Sequence, residues 1–356
     1  MQPAFSGTGH LAVWIVALAG ILLSPILTAL IVSPETRYLV MSKRVGPTDW
    51  HTNQVLKETG PLDILVLGNS RMLMAINHAA LREDVHTPDG PLRSETIAAR
   101  FNGYDLSYTF LKDFFIHRHA RLVVLNYPDI PQIDNHPGEK YLRTLGQPDP
   151  GLSSSAPALA VTDYAEMAMI GPRLALASII RPGTTTRNGY RTAEDFPDYE
   201  RTRGSWTPDE GYEENKTSPR AAFVRHDSPD KPQQAIIISP GASLPAGVIL
   251  TDRPLTAIES AYLPAIKTLC EKNGAILAFM QLPMADSRGP IEISSQVLAL
   301  GVPIVAASSE MMFGNISAEH IKENYYDHLH FNSNGSRRSA EVFGPALQAL
   351  LQQTRG

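Results

Sequence analysis

Ser70, Asp327 and His330 are the residues of this chain whose types and setting suit nucleophilic chemistry. The run "LVLGNSRMLMAINHAAL", residues 65–81, carries an apolar stretch into Gly68-Asn69-Ser70-Arg71 and then resumes an apolar pattern. A turn of this kind has an ordinary explanation, because glycine accepts positive φ while asparagine and serine bond nearby backbone groups. A serine hydroxyl is a weak nucleophile, and needs an imidazole to take its proton and a carboxylate to fix that imidazole's tautomer. Both stand in "YYDHLHFNSNGSRRSAEVF", residues 325–343, where Asp327 and His330 are three positions apart just before a glycine-containing helix start. The chemistry open to such a trio is acyl transfer through an ester on the serine.

Groups so far apart in sequence need a rigid frame. "LDILVLG", residues 62–68, is a short apolar run ending in glycine and reads as a buried parallel strand. "ARLVVLNYP" (120–128), "GAILAFMQLP" (274–283) and "VPIVAAS" (302–308) read likewise, and a further strand is expected just before "RFNGYDLSY" (100–108). Helical patterns fall between them: "HAALRED" (78–84) behind an Asn77 cap, "TFLKDFFIHRH" (109–119), and "PLTAIESAYLPAIKTLCEKNG" (254–274) with its Lys-Asn-Gly stop. A last helix begins near residues 334–336, with Ala340, Val342, Phe343, Ala346, Leu347, Leu350 and Leu351 on one face. This alternation predicts an α/β fold, a three-layer α/β/α sandwich with a parallel sheet. Residues 134–235 interrupt it. They include a helix-like run over 156–180 and a polar, aromatic-containing stretch that reads either as a surface insertion or as a lid or glycan-contacting surface.

The 356 residues suffice for one sizeable domain with insertions or two modest ones. A net charge of -5 supplies no global attraction to nucleic acid. The single cysteine, Cys270, excludes an internal disulfide and a cysteine-rich zinc site, and its helical setting predicts a buried structural thiol. No metal and no cofactor are expected. Zinc held by Asp327, His328 and His330 is the poorer reading, because an adjacent carboxylate and histidine are what the serine itself requires.

Residues 11–32, "LAVWIVALAGILLSPILTALIV", carry no charge and are long enough, at about 1.5 Å per residue, to cross a hydrocarbon core of about 30 Å. The stretch has no basic flank before it and no clear small-x-small cleavage site, so it reads as a retained anchor. The division is then an anchor over residues 1–35 and a domain over 36–356. Arg37, Lys43 and Arg44 follow the segment, and the positive-inside rule read literally places the domain in the cytoplasm.

Taken together, Gly68-Asn69-Ser70 and Asp327-His328-Leu329-His330 resemble the SGNH (GDSL-like) hydrolase superfamily, in which Gly-Asp-Ser follows the first strand and Asp-x-x-His precedes the final helix. The resemblance implies Ser70 as nucleophile, His330 as general base and Asp327 as its orienter. It further implies that Asn102 and Gly103 form a second block whose glycine N–H joins that of Ser70 around the oxyanion. The third block, Gly-x-Asn-Asp, has "NYPD" (126–129) in its place, with Pro128 where an asparagine donor would stand; Asn126 or Asn69 is then the substitute. Asn69 also replaces the usual aspartate. Arg71 reads either as a binder of an anionic substrate group or as the partner of a carboxylate.

The layout is similar, more closely, to the alginate O-acetylation proteins and the teichoic acid D-alanyl transfer protein. That branch implies O-acyl transfer, acetyl transfer in particular, onto an extracytoplasmic polysaccharide. It implies a single-pass inner-membrane protein with a periplasmic or otherwise extracytoplasmic domain, and a multi-span membrane acyltransferase or polysaccharide synthase complex as partner. The resemblance outweighs the flanking charges, which are few and lie where they can fold into the domain. Two other readings stand beside it: a polysaccharide esterase using the same residues, and a non-catalytic accessory subunit of a polysaccharide synthesis or secretion complex. Asn69 and Pro128 favour the accessory reading, and intact Ser70, Asp327 and His330 oppose it.

Overall fold

The computed structural model describes residues 7–45, 49–88, 90–99, 101, 103–143, 150–153, 157–180, 232–285, 287–314, 321, 324–325 and 327–353. The chain runs through α1 (Gly7–Ile31), α2 (Pro34–Val45), α3 (Asp49–Leu56), β1 (Leu62–Gly68), α4 (Ser70–Ala75), α5 (His78–Asp84), β2 (His86–Thr87), β3 (Gly90–Pro91), β4 (Ser94–Ala98), α6 (Tyr104–His117) and β5 (Ala120–Asn126). It continues through α7 (Glu139–Leu142), α8 (Pro150–Ser153), α9 (Pro157–Ile180), β6 (Ile236–Ile238), β7 (Val248–Thr251), α10 (Ala257–Lys272), β8 (Ile276–Gln281), β9 (Ile291–Ser294), α11 (Ser295–Leu298), β10 (Ile304–Ala306), α12 (Ser309–Phe313) and α13 (Ser333–Gln353).

A mostly parallel six-stranded sheet, ordered β4-β1-β5-β8-β10-β6, forms the centre of this mixed α/β structure, and the short β6 runs antiparallel at its edge. Parallel strands covered on both faces need apolar side chains at every position rather than every second one. "LDILVLG" meets that demand, and all seven of its residues are buried. Its alternate side chains enter different clusters. Leu67 is in register with Leu125, which pairs with Phe279 and so with Ile304, in a cluster shared with α6 and α10. Val66, Val124 and Ala278 form the adjacent row, in a cluster shared with α4, α5 and α13. Cys270 lies fully buried in the first cluster, as a structural thiol should.

Strand order also fixes where a site can form. The connection leaving β1 reaches β4 on one side, whereas that leaving β5 goes to the opposite edge, β6, before the chain returns to β8 beside β5. Open α/β sheets place their ligand sites at such a switch point, here outside the carboxyl ends of β1 and β5. Ser70 follows β1 directly, and Asn126 ends β5.

At the amino ends of the same strands, Arg118 ties α3 to the sheet. Its guanidinium grips both carboxylate oxygens of Glu95 at 2.7 Å, donates to the Gly60 and Gln54 carbonyls, and reaches Glu58 at 3.4 Å. One arginine therefore faces two carboxylates. Burial and the charge of Glu95 raise Glu58 from 4.5 to about 7, against the pull of Arg118. The folded state holds this proton where the unfolded chain releases it, so stability falls as pH rises from 4.5 through about 7. Denaturant unfolding at the two ends of that window should show a smaller loss for Glu58→Gln than for the parent chain.

α1 is long and apolar enough over Gly9–Thr28 to cross a membrane, the one such helix among the described residues. Its last turns belong to the fold. Ser24 donates to the Ala168 carbonyl of α9 at 2.9 Å, and the buried Arg37 donates to the Thr28 and Arg143 carbonyls at 2.9 and 3.1 Å. The interruption expected over 134–235 is in part stitched into the domain: His136 N–H donates to the buried Asp105 at 2.6 Å, and Tyr141 and Leu142 are in the core. Its polar, aromatic stretch over 181–231 lies outside the described residues.

Candidate active site

β1 delivers the chain to this switch point through Gly68, whose φ is +152°. A Cβ there would lie 2.6 Å from Asn126 Oδ1 and 2.8 Å from Met72 Cγ. Glycine is thus required by both backbone and space, and Gly68→Ala should cost on the order of 3 kcal/mol in unfolding free energy by overpacking and strain. Asn69 next caps α4, its Oδ1 accepting from Arg71 N–H at 3.0 Å and Met72 N–H at 3.4 Å. The first amide of the helix, that of Ser70, is left without a partner among the described residues, as the first amides of helices are unless capped.

The partner loop arrives from the far end of the chain. One oxygen of Asp327 accepts from the N–H groups of Leu329 and His330 at 2.7 and 2.9 Å and thereby closes the turn. The other oxygen holds His330 Nδ1 at 2.7 Å. His330 Nε2 lies 2.8 Å from Ser70 Oγ. Asn332 then accepts from the N–H groups of Asn334 and Gly335 at the start of α13, so turn and helix are anchored in one short segment. Burial alone would raise the Asp327 carboxyl, but the imidazole and the two backbone donors hold it below its ordinary range. The tautomer follows from the bonding: with Nδ1–H given to a carboxylate, Nε2 is the acceptor for the serine proton.

The loop after β8 braces both sides. Arg71 donates to the Leu282 carbonyl at 2.5 Å and pairs with Asp129 after β5. Tyr325 Oη donates to the Pro283 carbonyl at 3.0 Å, and Ala285 N–H to the His328 carbonyl at 3.0 Å. Serine loop and histidine loop are held to a common strut. Arg71 is 5% exposed, and its guanidinium takes the second of the two readings given above: it pairs with a carboxylate. Sequence reasoning passed over Asp129 as that partner, although "NYPD" ends the strand beside β1.

Gly103 precedes α6 on the segment leaving β4, whose last paired residue, Ala98, sits opposite Gly68. A Cβ on Gly103 would come within 3.1–3.2 Å of the His136 ring, so the segment is packed tightly from beneath. The next residue fixes it further: Tyr104 N–H donates to Gln132 Oε1 at 2.7 Å, and Tyr104 Oη accepts from Asn126 Nδ2 at 2.9 Å. Asn126 therefore directs an amide hydrogen at Tyr104, and Asn69 spends its oxygen as a cap. Asn102 lies outside the described residues. His328 is exposed, and among the described residues no three His, Cys, Asp or Glu side chains converge as a metal-ligand set. Phe101 was not expected. It holds φ +64°, a costly value for a non-glycine residue, and is 70% exposed on the segment that carries Gly103.

Scanned against protein-family models, curated proteins and solved structures, the chain matches none.

Proposed function

We propose that this chain is a membrane-anchored serine acyl-ester enzyme with an SGNH-type three-layer domain, transferring an acyl group, acetyl above all, onto an extracytoplasmic polysaccharide. The observation that carries the reading is the unbroken relay from Ser70 Oγ through His330 to Asp327, at 2.8 and 2.7 Å. In the first half-reaction Ser70 Oγ attacks the acyl carbonyl carbon while His330 Nε2 takes the hydroxyl proton. The N–H groups of Ser70 and Gly103 face the developing oxyanion, and collapse expels the leaving group, which receives the proton from His330. In the second, His330 deprotonates a sugar hydroxyl, which attacks the acyl-Ser70 ester, and the imidazolium returns the proton to Ser70 Oγ as the ester bond breaks.

Placement outside the cytoplasm belongs to this reading by resemblance, and Arg37 is one flanking charge that opposes it less than its position suggests. This residue is 5% exposed and bonded into the fold, so it does not serve as a free charge beside the membrane segment. A retained anchor suits work beside a multi-span acyltransferase that delivers the acyl group.

The test is intact-mass analysis of the full-length chain in nanodiscs after exposure to p-nitrophenyl acetate. An acetyl ester on Ser70 should accumulate, and an oligosaccharide acceptor should discharge it faster than water does. A folded sample in which Ser70 never takes the acetyl group would end this reading in favour of the accessory subunit.

A further inference from the structure

α9 contains an apolar run, Met167–Ile179, that spans about 20 Å at ~1.5 Å per residue and so falls short of a hydrocarbon core of about 30 Å. It lies directly on α1. Ser24 Oγ donates to the Ala168 carbonyl at 2.9 Å, and Tyr164 Oη donates to the Leu22 carbonyl. A Cβ on Gly171 would meet Thr28 Oγ1 at 2.5 Å and the Ser24 carbonyl at 3.2 Å. Ser24 and Thr28 are 7% and 6% exposed at this crossing. Close backbone approach through Gly, Ala, Ser and Thr, with hydroxyls bonding across, is how helices pack where lipid removes the incentive to bury large apolar groups.

The outer side of α9 is the reverse of a soluble surface. Met169, Leu176 and Ile179 are 67%, 56% and 75% exposed, and on α1 Leu22, Leu23, Ile26 and Leu27, beside the residues of the crossing, are exposed as well. Leu22, Ser24 and Thr28 all lie within the apolar span of α1, so Tyr164, Ala168 and Gly171 share the depth of that end of the span, and α9 runs on from this crossing, past Thr28, to Leu176 and Ile179. Arg173, exposed on the same helix, has a stem long enough to carry its charge to the headgroups.

We propose that α9 is a second bilayer-contacting element, which does not cross but seats Met169, Leu176 and Ile179 among the acyl chains beside the domain-proximal end of α1. The proposal rests on α1 being a retained membrane anchor. It makes the attachment two-legged, so that the domain cannot swivel freely about a single helix.

The test uses the full-length chain in phosphatidylcholine–phosphatidylglycerol nanodiscs, with nitroxide labels on Leu176→Cys, Ile179→Cys, Leu18→Cys and Glu292→Cys, one at a time. Cys270 is fully buried and takes no label. Labels at 176 and 179 should collide with oxygen and be shielded from a water-soluble nickel chelate, as at 18, whereas 292 shows the opposite. Labels at 176 and 179 that match 292 while 18 stays in lipid would overturn the proposal and leave the anchor standing. If 18 also matches 292, the anchor reading itself fails, and the proposal with it. Shielding of 176 and 179 from both reagents would mean that protein covers this face, which overturns the bilayer as its occupant.

Discussion

Ser70→Ala is expected to abolish labelling by a serine-directed fluorophosphonate and to lower turnover of p-nitrophenyl acetate on the order of 10⁶-fold, with circular dichroism unchanged. In the proposed mechanism the hydroxyl oxygen is the only atom of the relay that becomes bonded to the acyl group, and alanine, which lacks it, removes the covalent route altogether. His330→Ala should lose nearly as much, because a serine without its proton acceptor is no better a nucleophile than an alcohol in water. The pair act through one hydrogen bond of 2.8 Å, so the double variant should be scarcely worse than either single one. Losses that multiplied in the double variant would show the two residues working separately and would sink the relay.

Asp327→Asn should lower turnover about 10⁴-fold while leaving the loop in place. Its remaining carbonyl oxygen can still accept from Leu329 and His330 and keep the turn closed, but an amide against Nδ1 favours the wrong tautomer and presents N–H toward the serine. A second consequence concerns stability. The Asp327 carboxyl is held below its ordinary 3.8 in the folded chain, so its contribution is present above 3.8 and lost as pH falls through the folded value. Asp327→Asn should therefore unfold more easily than the parent at neutral pH, and the gap should close in acid. Equal stability at neutral pH would mean that the hydrogen-bonded carboxylate adds nothing to the fold. A gap that persisted below the folded value would assign the cost to a distorted turn.

Elements whose signals are local were legible in the sequence. "LDILVLG" matches β1 residue for residue, Asn77 caps α5, and Asp327 with His330 forms the turn that their spacing allowed. What escaped was set by distant partners. β6 is three isoleucines that pair only because β10 offers an edge, and three residues carry too little pattern to be distinguished from a buried loop. Arg71 was open to pairing with a carboxylate, but the partner, Asp129, is set beside it only by β5. The "TFLKDFFIHRH" helix begins earlier than its apolar spacing indicates, at Tyr104, because Gln132 and Asn126 from the β5 edge hold that residue in place. Nor does any local feature of residues 156–180 reveal that their small residues answer to Ser24 and Thr28.

Ser70 and His330 are separated by 260 positions, and the histidine turn is anchored to the final helix. Ribosomes release a chain from its amino end, so the apolar helix α1 and the serine leave long before the histidine does. Until then the serine has no imidazole beside it and is no better a nucleophile than an ordinary alcohol. Non-local closure of this length is also a late step in folding, since the intervening strands must pair first. On the proposed reading the connectivity acts as a timing device: the relay closes only after His330 and the start of α13 have been made, and a product truncated before residue 327 would lack it.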